Sequence, residues 1–80
     1  MIRSYVTHGD RTFLVSTIDR TSSALEGGEY AETLVWEWDK ATAQRKSDTV
    51  LRQSSDAAGS ALEHLHVVQV IYTHGIKETS

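Results

Sequence analysis

Apolar and polar positions alternate along most of this chain, and the period lengthens only near its C-terminal end. Residues 2–7 (IRSYVT) read as a first strand, followed by a tight turn at His8-Gly9-Asp10, where glycine supplies a positive φ and aspartate tolerates turn geometry. Residues 12–18 (TFLVSTI) are rich in β-branched and aromatic types and predict a second strand. The polar, glycine-containing stretch from Asp19 to Glu29 reads as a loop. The clearest alternation runs from Tyr30 to Asp39. One face carries Tyr30, Glu32, Leu34, Trp36 and Trp38; the other carries Ala31, Thr33, Val35, Glu37 and Asp39. That is the pattern of a sheet with one buried and one wetter face. A charged loop over 40–48 and a short fourth strand over 49–53 complete the β-prone part.

From Ser54 the pattern changes. Ser54-Ser55-Asp56 is a helix N-cap cluster, because a serine oxygen accepts from an orphan amide and Asp56 suits the positive end of a helix. Ala58, Ala61, Leu62, Leu65 and Tyr72 then fall on one helical stripe, and His74-Gly75 fits a C-terminus. Gly59 and the β-branched run Val67, Val68, Val70 and Ile71 pull the other way, toward a final strand. One continuous helix is the preferred reading, because no Gly, Pro or Asn separates Leu65 from Val67 to turn the chain. The predicted fold is a single α+β domain over 1–80: an antiparallel sheet of three to four strands with one C-terminal helix packed on one face. Leu34, Trp36, Leu62 and Leu65 are expected between sheet and helix.

Eighty residues leave room for one domain, and a chain this short buries only roughly 60% of its unfolded surface. Partners and oligomerisation often supply the missing stability. Eleven acids against eight bases give a net charge of −3, with no cluster of Lys or Arg, so the positive footprint that phosphate binding uses is absent and no nucleic-acid partner is expected. The absence of cysteine removes disulfides, thiolate nucleophiles and zinc–thiolate sites together. No apolar run approaches the ~18 residues of a membrane span, and Met1–Asp10 has no hydrophobic signal core, so a soluble, cytoplasmic protein is expected.

Candidate chemistry is sparse. Of the four histidines, His64 and His66 share a face only on a strand; on a helix they point about 200° apart and cannot hold one metal. His8 and His74 sit beside turn glycines. Trp36 and Trp38 read either as core or as an aromatic binding platform. Glu37 and Asp39 read as a solvated sheet face rather than as a catalytic pair. There is no Gly-x-Ser-x-Gly elbow, and Gly27-Gly28 lacks the Lys-Ser/Thr of a phosphate-binding loop. Catalytic, metal and cofactor-binding residues are therefore all expected to be none, with no small-molecule substrate and no membrane partner evident.

The stretch Tyr30-Ala31-Glu32-Thr33-Leu34-Val35-Trp36 is similar to the Tyr-Glu-Thr-Met-Val-Phe strand of small phage and prophage proteins of unknown function. Val15-Ser16-Thr17-Ile18 resembles their preceding strand. Ser55-Asp56-Ala57-Ala58 and Ala61-Leu62-Glu63-His64 resemble their capped helix. The resemblance implies an antiparallel sheet crossed by one helix and a phage accessory origin, with the host cytoplasm as its place of action. It carries no functional residue.

A count of apolar faces points to a protein partner. Phe13 and Val15 point one way from the second strand, Leu14 and Ile18 the other, and one helix covers only one side of a sheet. Phe13, Val15 and Val35 on the sheet, with Val67 and Val70 on the helix away from its stripe, are the expected interface, unless loop 19–29 or 40–48 folds over it. The function expected is a non-catalytic protein–protein interaction module, acting on a host or viral protein or on itself as a homodimer. The alternative is a small structural or self-assembling component of a virion.

Overall fold

A computed structural model describes residues 1–22 and 28–76. Strands β1 (Ile2–His8), β2 (Arg11–Ser22), β3 (Gly28–Asp39) and β4 (Gln44–Asp56) form one antiparallel sheet in the order β1-β2-β3-β4. A 3₁₀ turn (Ala57–Gly59) leads into the helix α1 (Ser60–His74), which lies across one face, over β1 and β2 more than β4. This is the expected α+β fold, with four strands.

The β1–β2 hairpin follows from its turn. His8 pairs with Arg11, so Gly9 and Asp10 alone close it, with Gly9 at φ 64°. A two-residue loop with positive φ matches the twist of the flanking strands. That register places Val6 beside Phe13 and Ser4 beside Val15. β2 and β3 then pair from Thr12↔Trp38 to Ser22↔Gly28, so most of the loop expected over 19–29 is strand; residues 23–27 lie outside the described residues. The loop expected over 40–48 is also shorter, with turn residues at 40–43 and strand from Gln44. In it the Ala41 N–H donates to Asp39 Oδ1 at 2.9 Å. Charges such as Arg45, Lys46 and Asp48 made this segment look like loop, but an edge strand accepts them readily and they discourage edge-to-edge pairing. Register shifts at Val35/Trp36 and Trp36/Trp38 bend β3 and β4 locally.

The core sits between sheet and helix, and its membership corrects the expectation. Val6, Phe13, Val15 and Val35 from the sheet meet Val67 and Ile71 from α1, with Val50, Leu51, Val68 and Ile76 around them. Leu34 and Trp36 lie on the other sheet face with Leu14 and Trp38. Leu62 and Leu65 face solvent at 75% and 62% exposure, as does Tyr72 at 70%. The inward stripe of α1 is instead His64, Val67 and Ile71. Residues 66–73 are helical, which settles the helix–strand alternative.

Contacts at both ends of α1 hold that phase. Ser54-Ser55-Asp56 ends β4 rather than capping the helix directly, but Asp56 Oδ1 accepts from the Gly59 N–H at 2.7 Å and shapes the entry turn. At the C-terminus the Gly75 N–H donates to Ile71 O at 2.9 Å, and His8 Nδ1 bonds the free carbonyl of Tyr72 at 3.1 Å. Gly75 has φ 70° and ψ −172°, a region nearly reserved for glycine. A β-carbon there would meet the His8 ring at 2.6 Å. Gly75→Ala is expected to lower the unfolding free energy by about 1–2 kcal/mol, read from urea titration, through strain and displacement of His8. An unchanged midpoint would show that the His8–α1 contact is dispensable.

Candidate interaction surface

Four of the five residues expected at an interface are interior to the folded chain. Phe13, Val15, Val35 and Val67 are 0–2% exposed, packed against one another under α1. They form the core between sheet and helix rather than an open face of the sheet. The helix covers the sheet face of Phe13, Val15 and Val35 rather than that of Leu34 and Trp36, and its phase turns Val67 inward. Val70 is the exception, 39% exposed at the rim of a small cleft of about 110 Å³ between β4 and α1.

This phase leaves outside the stripe that hydrophobicity alone predicts to be core. Ala61, Leu62, Leu65 and Tyr72 are exposed on the side of α1 away from the sheet, and Ala58 is exposed in the turn before it. The helix thus has two apolar faces, one turned inward and one that no other element covers among the described residues. Its outer face is also nearly free of charge. Glu63 is the one Asp, Glu, Lys or Arg residue of α1, and it is half-buried beside His64.

The sheet face opposite the helix is a second exposed surface of different character. Leu14, Leu34 and Trp36 are buried there, with no covering layer of secondary structure among the described residues. Arg45 places its guanidinium 4.0 Å from the Trp36 ring centroid, and Tyr5 meets Trp38 edge-on with centroids 5.3 Å apart. These contacts shield the tryptophans, so Trp36 is core without being under the helix and Trp38 is rim. Beside them a shallow groove of about 920 Å³ is lined by Leu34, Trp36, Arg45, Lys46, Asp48, Thr49 and Arg52.

His64 and Glu37 are engaged in holding the fold. His64, 2% exposed, bonds Ser4 Oγ through Nε2 and Thr17 Oγ1 through Nδ1, both at 2.8 Å. Thr17 Oγ1 continues to Thr33 Oγ1 at 2.8 Å. This chain of hydroxyls ties α1 to β1, β2 and β3. Burial pushes the His64 pKa below its ordinary value, because the cation would lose its hydration. A Ser–His contact of this length is also how a nucleophile meets its base. Here, though, both ring nitrogens are held by hydroxyls, and the burial that surrounds the ring opposes the proton uptake a base must perform. His66 and His74 are exposed, and the helix turns His66 away from His64 as its period requires. Glu37, expected on a solvated face, is instead half-buried and paired with Arg11 at 2.8 Å and Lys46 at 3.6 Å. The Arg11 hydrogen bond chiefly holds its carboxyl below the usual range, against the opposing effect of desolvation.

Among the described residues no group of three or more His, Asp and Glu side chains is placed to hold a metal ion, and no helix is long and apolar enough to cross a membrane. No family model, curated protein or solved structure matches the chain.

Proposed function

We propose that this protein is a non-catalytic interaction module that docks on protein through the outer face of α1. The observation that carries the reading is the exposure of Leu62, Leu65 and Tyr72, at 75%, 62% and 70%, along one side of a helix whose other side is already buried. Water gains nothing from three large apolar side chains in a row, and burying them on a partner is favourable by roughly 25 cal/mol per Å² of apolar surface. Contiguous apolar patches on small domains mark interaction sites. The engagement of His64 and Glu37 in the fold supports a non-catalytic role. The strand and helix resemblances support an accessory protein of phage type, acting in a host cytoplasm on a host or viral protein.

A photo-reactive amino acid placed at Leu65 tests the reading in the producing cell. A discrete protein adduct is expected, formed with another protein or with a second copy of the chain. The same probe at exposed Asp10, on the hairpin turn, should give none. Equal labelling from both sites, or none from either, would remove α1 as a docking face.

A further inference from the structure

We infer that the partner of the outer α1 face is a second copy of this chain, with the two α1 helices packed antiparallel about a two-fold axis. The inference rests on the reading of α1 as the docking face and names its occupant.

The spacing comes first. Along the exposed side of α1 the seam runs Leu62, Leu65, Gln69, Tyr72, in steps of three, four and three. That spacing keeps one narrow line of side chains in register with the matching line on another helix. Charge comes second. The seam carries no ionised group, so an identical seam meets no repulsion there, and the only charged side chain of α1, Glu63, is half-buried beside His64. A seam meant for an oppositely charged partner would carry the complementary charges.

Size fixes the direction. Parallel packing would set Tyr72 against Tyr72 at one end and Leu62 against Leu62 at the other, leaving a wedge. Antiparallel packing sets Leu62 against the second copy's Tyr72 at both ends and Leu65 against its Gln69 in between, so the layers have similar bulk. It also places each helix N-terminus beside the other's C-terminus, which the helix dipoles favour.

Area sets the strength. A helix of 15 residues is about 22 Å long and about 10 Å wide. Full overlap of two such strips buries on the order of 1,000 Å² in total, near the lower bound for a specific interface. An interface that small suits a reversible dimer, and a Kd on the order of tens of micromolar is expected. Offset pairings bury less and fall below that bound.

Sedimentation velocity of the full chain, from about 5 to about 500 μM, should show monomer passing to dimer through the tens of micromolar. Because each copy carries −3, added salt should strengthen the dimer slightly; a basic partner would be released by salt instead. Leu65→Glu should be monomeric throughout, with an unfolding midpoint close to that of the parent, since the side chain is mostly exposed. The cysteine-free chain allows a test of direction. Facing helices bring opposed Cα atoms to about 5 Å, within disulfide reach. A mixture of Leu62→Cys and Tyr72→Cys chains should yield the mixed disulfide on mild oxidation, and Leu62→Cys alone should not couple. Coupling of Leu62→Cys to itself would overturn the antiparallel arrangement. A monomer at about 500 μM, or a dimer untouched by Leu65→Glu, would overturn the homodimer. If the photo-probe at Leu65 then captured a different protein, docking through α1 would stand and only its occupant would change.

Discussion

Phe13→Ala is expected to cost about 3–5 kcal/mol of folding stability, whereas Leu65→Ala should cost under about 1 kcal/mol. Phe13 is 1% exposed among Val6, Val15, Val35, Val67 and Ile71, with the Arg11 guanidinium 4.9 Å from its ring centroid. It is the one phenylalanine in the chain. Removing the ring opens a cavity that the valines around it are too short to fill, so the transfer and cavity terms add. A domain of this length has roughly 4–12 kcal/mol in all, so the variant sits near the threshold of folding at ordinary temperature. Leu65, 62% exposed, loses little that the folded state had removed from water. Urea unfolding of both variants reads the contrast directly. Equal losses, or a larger one at Leu65, would mean that α1 packs in the other phase and that the outer stripe is in fact core.

That contrast also marks where the sequence stopped being legible. The hairpin turn at Gly9-Asp10, the alternation of β3 and the Gly75 end of α1 are local signals, and the structure follows each of them. The helix phase is not local. Judged by hydrophobicity alone, Ala61, Leu62, Leu65 and Tyr72 outweigh His64, Val67 and Ile71, so the stripe with a histidine looked like the wet side. His64 is a core residue only because Ser4 and Thr17, far away in sequence, bring hydroxyls to its two nitrogens, with Thr33 bonding Thr17 behind them. The hairpin register did contain a clue. With His8 opposite Arg11, Val6, Phe13 and Val15 share a face with Ser4 and Thr17, a mixture that needs an inward polar group. The tryptophans misled in the same way. Trp36 looked like helix-facing core, yet the sheet's far face hides it with Arg45 and its strand neighbours. β4 is longer than its sequence predicts, because charge on an edge strand resembles charge in a loop.

Stability should fall on acidification through the titration of His64. Its pKa is lowered in the folded state by burial, while the unfolded chain titrates near the ordinary value of about 6.5. Below that pH the unfolded state binds a proton that the folded state refuses, so stability rises with pH across this window. The contribution is complete above about pH 7, is lost progressively as pH falls below about 6.5, and levels off once the lowered folded-state pKa is passed. One proton limits the slope to about 1.4 kcal/mol per pH unit. Glu37 adds a second loss at lower pH. Its carboxylate is held below the usual range by Arg11, so its contribution stays present above about pH 4.3 and disappears as pH falls through the folded-state value. His64→Ala should remove the upper phase and cost about 2–4 kcal/mol at neutral pH, since it deletes buried packing and takes a partner from Ser4 and Thr17. His64→Leu separates the two effects, because it keeps volume under the helix while ending the titration. Urea unfolding of the parent and both variants from about pH 4 to about pH 8 reads every arm. A His64→Leu chain whose stability still climbed between about pH 5 and about pH 7 as steeply as the parent's would place the sensitivity elsewhere.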